Sequence, residues 1–186
     1  MKKDKKLLAI AATAGVSAAA AILLYNAFKV SIPKGAQPIY PFDVRKYLGT
    51  WYEIARLDYK FERHLTNVTA TYAMNGGSDI KVSNKGFNPG KQAWKESTGK
   101  AKFIGPPELA RLKVSFFGPF YAGYNVIDVD EHYKHALVVG NNLHHIWILS
   151  RHTSIPANIK QRFLEKAASL GYDTKAFIWT KHDLNA

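Results

Sequence analysis

The chain contains no cysteine. That absence excludes disulfides, thiolate metal sites, cysteine nucleophiles and a lipid attached through an N-terminal cysteine. Acidic residues are scarce: 14 Asp and Glu stand against 26 Lys and Arg, a formal charge of +12. Five lysines and one aspartate fall before residue 30, so the remainder carries 21 − 13 = +8. Such a surplus draws polyanions or an anionic bilayer and says nothing about fold. No clustered basic helix or nucleic-acid motif accompanies it, so the reading is no nucleic acid and a membrane surface instead. Helical periodicity is missing from Gly49 to Arg151, which excludes a helical core for that stretch.

Long apolar runs are also rare, with one exception. After the basic head Met1-Lys2-Lys3-Asp4-Lys5-Lys6, the 22 residues from Leu7 to Phe28 carry no charge. About 20 such residues span a bilayer as a helix. Ala18-Ala19-Ala20-Ala21 offers a small-residue cleavage site, but Ile22-Leu23-Leu24-Tyr25 continues the apolar run past it. Residues 1–29 are therefore expected to form an N-terminal signal-anchor, a transmembrane helix that resists alkaline carbonate washing. The alternative is a cleaved signal and a periplasmic or outer-membrane-associated protein. The lysine-rich head stays cytoplasmic, placing everything after Lys29 on the periplasmic, extracytoplasmic side. Residues 30–41 contain three prolines and no period, and read as a linker. Residues 42–186 form the main domain.

That domain is rich in β-forming residues arranged in short alternating runs. Gly49 to Asp58 is the first. Thr66 to Met74 follows, with Val68, Ala70, Tyr72 and Met74 on one face. Asn75-Gly76-Gly77-Ser78 is a hairpin signal. Ile80 and Val82, Lys91 to Phe103, and Leu112, Val114 and Phe116 supply the next three runs. Tyr121 to Val129, His135 to Val139 and His144 to Arg151 complete a set of eight. Tight turns demand antiparallel neighbours, and eight strands can close on themselves without leaving edges. The predicted fold is all-β: an eight-stranded antiparallel up-and-down β-barrel able to hold one small ligand. A two-sheet sandwich is the alternative. Ile159, Phe163, Ala167 and Leu170 then share one stripe of a helix, with Ser154 as cap and Gly171 at its end. That helix should pack on the barrel's outer wall. Phe177-Ile178-Trp179 should add a short strand.

Gly49-Thr50-Trp51, the Asp130-Glu131-His132 turn and Arg151 after Trp147-Ile148-Leu149-Ser150 resemble the three motifs of the lipocalins. Trp51-Tyr52-Glu53-Ile54-Ala55-Arg56 and Val114-Ser115-Phe116-Phe117-Gly118-Pro119-Phe120 are similar to the bacterial, apolipoprotein D-like subgroup. The likeness runs from about Pro41 to Trp179. It implies a carrier of small hydrophobic molecules, and for this subgroup fatty acids or lysophospholipids, in cell-envelope maintenance. Usual bacterial members are tethered through a cysteine that this chain lacks.

Trp51 and Arg151 are expected to meet at a closed barrel floor beside Gly49, the guanidinium lying on the indole face. That sets Glu53 and Ala55 inward on the first strand, and Leu149, Trp147 and His145 on the last. Alternation adds Ala70, Tyr72, Met74, Val82, Val114 and Phe116, and the lipocalin phase adds Asn125, Ile127 and Val138. The expected ligand-binding residues are Ala70, Tyr72, Val82, Val114, Phe116, Asn125, Ile127, Val138, His145 and Trp147. A homodimer stays open. No cofactor is implied. His144 and His145 point to opposite faces of a strand and cannot share an ion, while His132 and His135 flank a turn without a carboxylate shell. Ser115, Ser150 and His152 are the only material for a lipid-ester hydrolase, the competing class, and show no activating pattern.

Overall fold

The computed structural model describes residues 30–58, 63–77 and 79–184. Eight strands run in chain order: β1 Gly49–Arg56, β2 Thr66–Met74, β3 Ile80–Asn88 and β4 Ala93–Phe103. They continue as β5 Arg111–Phe117, β6 Phe120–Val129, β7 His135–Val139 and β8 Ile146–Ser150. Each pairs antiparallel with the next, and β1 pairs with both β2 and β8, so the sheet closes. A two-sheet sandwich is thereby ruled out. The connections after β2, β4, β6 and β8 lie at one end, the floor; those after β1, β3, β5 and β7 lie at the other, the mouth.

Before β1 the chain is a packed strap. It starts at the mouth, where the Ser31 hydroxyl donates to the Asn141 carbonyl at 2.9 Å. It then descends along β6, with the Ile39 amide donating to Val126 at 3.0 Å, and reaches the floor as Phe42 donates to Glu108. There a one-turn helix, α1 (Val44–Tyr47), is capped by Asp43, whose carboxylate accepts from the Arg45 amide.

Two apolar clusters share the barrel wall. Trp51, Tyr72, Val82, Leu112, Val126 and Val138 fill the inside. Outside, Ile127, Leu137, Val139 and Ile148 meet Phe163 and Ala167 of α2 (Ala157–Ser169). Gly171 ends that helix with φ +91°. Ser154 does not cap it: Pro156 is the N-cap, without a side-chain bond, and the Ser154 carbonyl accepts from the Ser150 hydroxyl. Arg162 and Lys166 of α2 grip Asp128 at 3.1 and 3.2 Å, fixing the helix to the wall. β9 (Ile178–Trp179) joins β1 as expected.

No helix among the described residues is long and apolar enough to cross a membrane. The expected helix at 1–29 lies outside the described residues.

Candidate functional site

The floor is built by Arg151. Its guanidinium lies 3.8 Å above the ring of Trp51, which has no exposed surface. It donates to the carbonyls of Thr50 (2.7 Å), Lys46 (2.9 Å), Tyr47 (3.1 Å) and Leu48 (2.7 Å), and through Nε to Tyr133 (3.3 Å). Three of these carbonyls belong to α1 and its C-cap, which a helix end leaves without intrahelical partners. The Trp51 indole N–H closes the set by donating to the Tyr47 carbonyl at 2.7 Å. Gly49 has φ +91°, and a Cβ there would stand 3.4 Å from the Arg151 guanidinium. A side chain there is strained by the left-handed backbone, while its Cβ would rest in ordinary contact with the guanidinium.

Above the floor a chain of phenols crosses the barrel. The Tyr124 hydroxyl lies 2.6 Å from that of Tyr47 and 2.7 Å from that of Tyr72. Burial, reinforced by the neighbouring phenols, holds Tyr47 and Tyr124 well above the usual tyrosine range. Both are neutral at physiological pH.

Over this layer opens a cavity of about 470 Å³, within the ~300–1,000 Å³ of small-molecule sites. Ala70, Tyr72, Val82, Val114 and Phe116 line its walls, and His145 and Trp147 line it from β8 and the loop before it. The His145 ring stacks on Trp147, and burial lowers its pKa from the ordinary histidine value. Lys85 and Lys95 edge the open end. Gly99 makes room for one wall: a Cβ there would come within 2.5 Å of the Ser115 carbonyl and 2.8 Å of the Phe116 ring.

Three expected contact residues lie elsewhere. Asn125 and Ile127 are on the outer face of β6. Ile127 packs under α2, and the Asn125 amide donates to the Val139 carbonyl at 3.1 Å. A β-bulge between Val126 and Asp128 is the cause: Tyr124, Val126 and Val129 face the interior cluster, whereas strict alternation carried back from Val129 gives Ile127 and Asn125. Val138 does point inward but is fully buried in the packed core and does not line the cavity. A second bulge, between Glu53 and Ala55, turns Ala55 outward. Met74, at the floor end of β2, is 45% exposed rather than packed.

Sequence reasoning missed Tyr47 and Tyr124. The alternation of Tyr124 and Val126 against polar Asn125 was a readable signal; nothing local marks Tyr47. Glu53 also faces the cavity, its carboxylate hydrogen-bonded to Arg56 and accepting from the Thr180 hydroxyl at 2.6 Å. This buried pair seals the wall where β1 and β2 part, since they pair only from Gly49 to Tyr52. Among the described residues no three His, Asp or Glu side chains converge on a metal position. The Ser150 hydroxyl donates to the Ser154 carbonyl and accepts from the His152 backbone amide.

A closed eight-stranded barrel with an outer helix, an indole–guanidinium floor and an apolar interior cavity is the up-and-down barrel architecture that can enclose a small ligand. The chain belongs to the lipocalin family: the lipocalin-like domain model matches residues 42–182. The outer membrane lipoprotein Blc of Escherichia coli (strain K12) is 48% identical over 165 residues, covering 89% of this chain and 93% of that one. Apolipoprotein D of Rattus norvegicus is 32% identical over 122 residues, covering 62% and 64%. Among solved structures, insecticyanin of the tobacco hornworm Manduca sexta superposes with a TM-score of 0.68 at 19% identity, covering 83% and 88%.

Proposed function

We propose that this lipocalin carries a single-chain lipid, a fatty acid or lysophospholipid, in its barrel as part of cell-envelope upkeep. The observation that carries the reading is the apolar cavity of about 470 Å³ closed at one end and open at the other. Each methylene moved from water into it contributes about 0.8 kcal/mol. A chain of about 16 methylenes gains roughly 13 kcal/mol, which leaves the ~8 kcal/mol of micromolar binding where association costs about 4–5 kcal/mol, the low end of its range. Ala70, Val82, Val114, Phe116 and Trp147 contact the acyl chain, with His145 nearer the open end. The tail points towards Tyr72 and Tyr124. The anionic head stays at the mouth, near Lys85 and Lys95.

The role is binding rather than catalysis. Two relatives' names, an outer membrane lipoprotein and an apolipoprotein, support an envelope setting and lipid handling. The lysine-rich head followed by the uncharged stretch from Leu7 to Phe28 supports delivery to the extracytoplasmic side of an envelope membrane, as a cleaved signal or an anchor. Replacing Val114 or Phe116 by Trp should fill the cavity and weaken oleate binding at least about tenfold, with the β-sheet circular dichroism unchanged. Unaltered binding by a folded variant puts the ligand somewhere else.

A further inference from the structure

The barrel's two ends differ in the side chains they present to solvent, and at the mouth these extend beyond the cavity that Phe117 and Phe120 also border. At the mouth, the β5–β6 hairpin carries Phe117 and Phe120 opposite one another across Gly118-Pro119. They are 70% and 64% exposed, the most exposed phenylalanines among the described residues. Leu143, on the adjacent β7–β8 loop, is 41% exposed, and that loop is tied to strand β6 by the Gly123 amide donating to the Asn141 side chain at 2.6 Å. The floor exposes Met74 (45%), but only the mouth holds a pair of phenylalanines this far into water, side chains costly to leave uncovered.

Charge follows the same axis. Among the described residues, the mouth ends of β1 to β4 and their connections carry Arg63, Lys85, Lys91 and Lys95 against Asp58 and Glu96. Both acids are engaged, Asp58 by Arg63 at 2.8 Å and Glu96 by Lys85 at 3.7 Å. The floor is mixed: Asp43, Asp79, Glu108, Asp130 and Glu131 are matched there by Arg45, Lys46, Lys102, Lys134 and Arg151, with Lys102 paired to Asp79 at 3.1 Å. An anionic surface is thus attracted to the basic rim of the mouth. A third observation is independent of both. The described chain begins at residue 30, beside the mouth, with Ser31 bonded to Asn141. The uncharged stretch from Leu7 to Phe28 therefore joins the barrel at the end that bears the exposed phenylalanines.

We infer that the mouth is a membrane-docking face: the Phe117–Phe120 hairpin and Leu143 enter the interfacial layer of an anionic bilayer, the rim lysines lie on its headgroups, and the cavity opens onto the lipid. The carrier then exchanges its cargo directly with the bilayer, and the acyl chain never crosses bulk water. The inference extends the carrier reading, but its test reads the position of the barrel and not the occupancy of the cavity.

Because the chain has no native cysteine, single labels are unambiguous. The full chain, carrying an environment-sensitive fluorophore at Leu143→Cys (mouth) or Asn75→Cys (floor), is incubated with phosphatidylglycerol–phosphatidylcholine vesicles containing a nitroxide-labelled lipid. The expected result is a blue shift and quenching at the mouth label alone. The signal should fall at least about tenfold in vesicle affinity with pure phosphatidylcholine or with Phe117→Ser/Phe120→Ser. Equal response at both labels, response at the floor label alone, or no response overturns the inference. So does a mouth-label shift that grows with protein concentration in the absence of vesicles, which assigns the face to a second copy of the chain. Titrating the same labelled protein with oleate separates the two ideas: saturable uptake without docking leaves the carrier reading standing, and docking without uptake does the reverse.

Discussion

Replacing Arg151 with Ala should unfold the floor without emptying the cavity. The guanidinium holds five backbone carbonyls, of which those of Tyr47, Leu48 and Tyr133 are bound in part-buried positions that water reaches poorly. At about 1 kcal/mol net for each such bond, their loss costs roughly 3 kcal/mol. The lost contact with Trp51 adds roughly 0.5–2 kcal/mol. The bonds to Thr50 and Lys46 lie at exposed positions, where water substitutes. The sum, roughly 3–5 kcal/mol, corresponds to a fall in Tm of roughly 6–20 °C for a domain of this size. Arg151→Lys should recover little of it, because an ammonium lacks the planar fork that spans several carbonyls. Thermal unfolding followed by circular dichroism measures the loss, and an oleate titration below the transition measures affinity. Affinity should change by less than about threefold, since the indole separates Arg151 from the cavity. A variant that unfolds within 1 kcal/mol of the parent, or one that loses binding at unchanged stability, refutes the floor assignment.

Two further outcomes follow from the site. Gly99→Ala should displace the Phe116 ring or spread β4 from β5, lowering stability and narrowing the cavity; equal Tm and equal oleate affinity in the variant contradict that packing. Alkaline pH should destabilise the fold through the buried phenols. Their folded pKa values lie above the unfolded value of about 10, so their contribution is complete below that pH. Above it the unfolded chain releases protons that the native state retains, and stability falls. Tyr47 and Tyr124 each steepen the decline by up to about 1.4 kcal/mol per pH unit. Tyr124→Phe should flatten it by one such increment, as read from urea midpoints between pH 9.5 and 11; a parallel slope in parent and variant rejects the buried triad.

The architecture was largely legible because its signals are local. Period-two alternation broken by Asn75-Gly76-Gly77 and Phe117-Gly118-Pro119 places eight strands in their observed order, and the Ile159–Phe163–Ala167 stripe finds the outer helix. Trp51 and Arg151, a hundred residues apart, were paired through their chemistry and the lipocalin resemblance. What stayed hidden depends on register. One extra residue in a strand reverses the facing of everything beyond it, and the bulge after Val126 did this to Asn125 and Ile127. The phenol chain arises from contacts between Tyr47, Tyr72 and Tyr124, and the strap's path from bonds of Ser31 to Asn141, Ile39 to Val126 and Phe42 to Glu108, which no window of sequence contains. Asp128, near the end of β6, clamps Arg162 and Lys166 of the outer helix, a contact that no local pattern announces.

Native mass spectrometry of the protein isolated from envelope membranes, before any lipid is added, tests the carrier claim most directly. The account predicts a one-to-one adduct with the mass of a fatty acid or lysophospholipid, strongly reduced in Val114→Trp. A bare protein that also fails to take up supplied oleate or lysophospholipid, or an adduct undiminished when the cavity is filled, contradicts it.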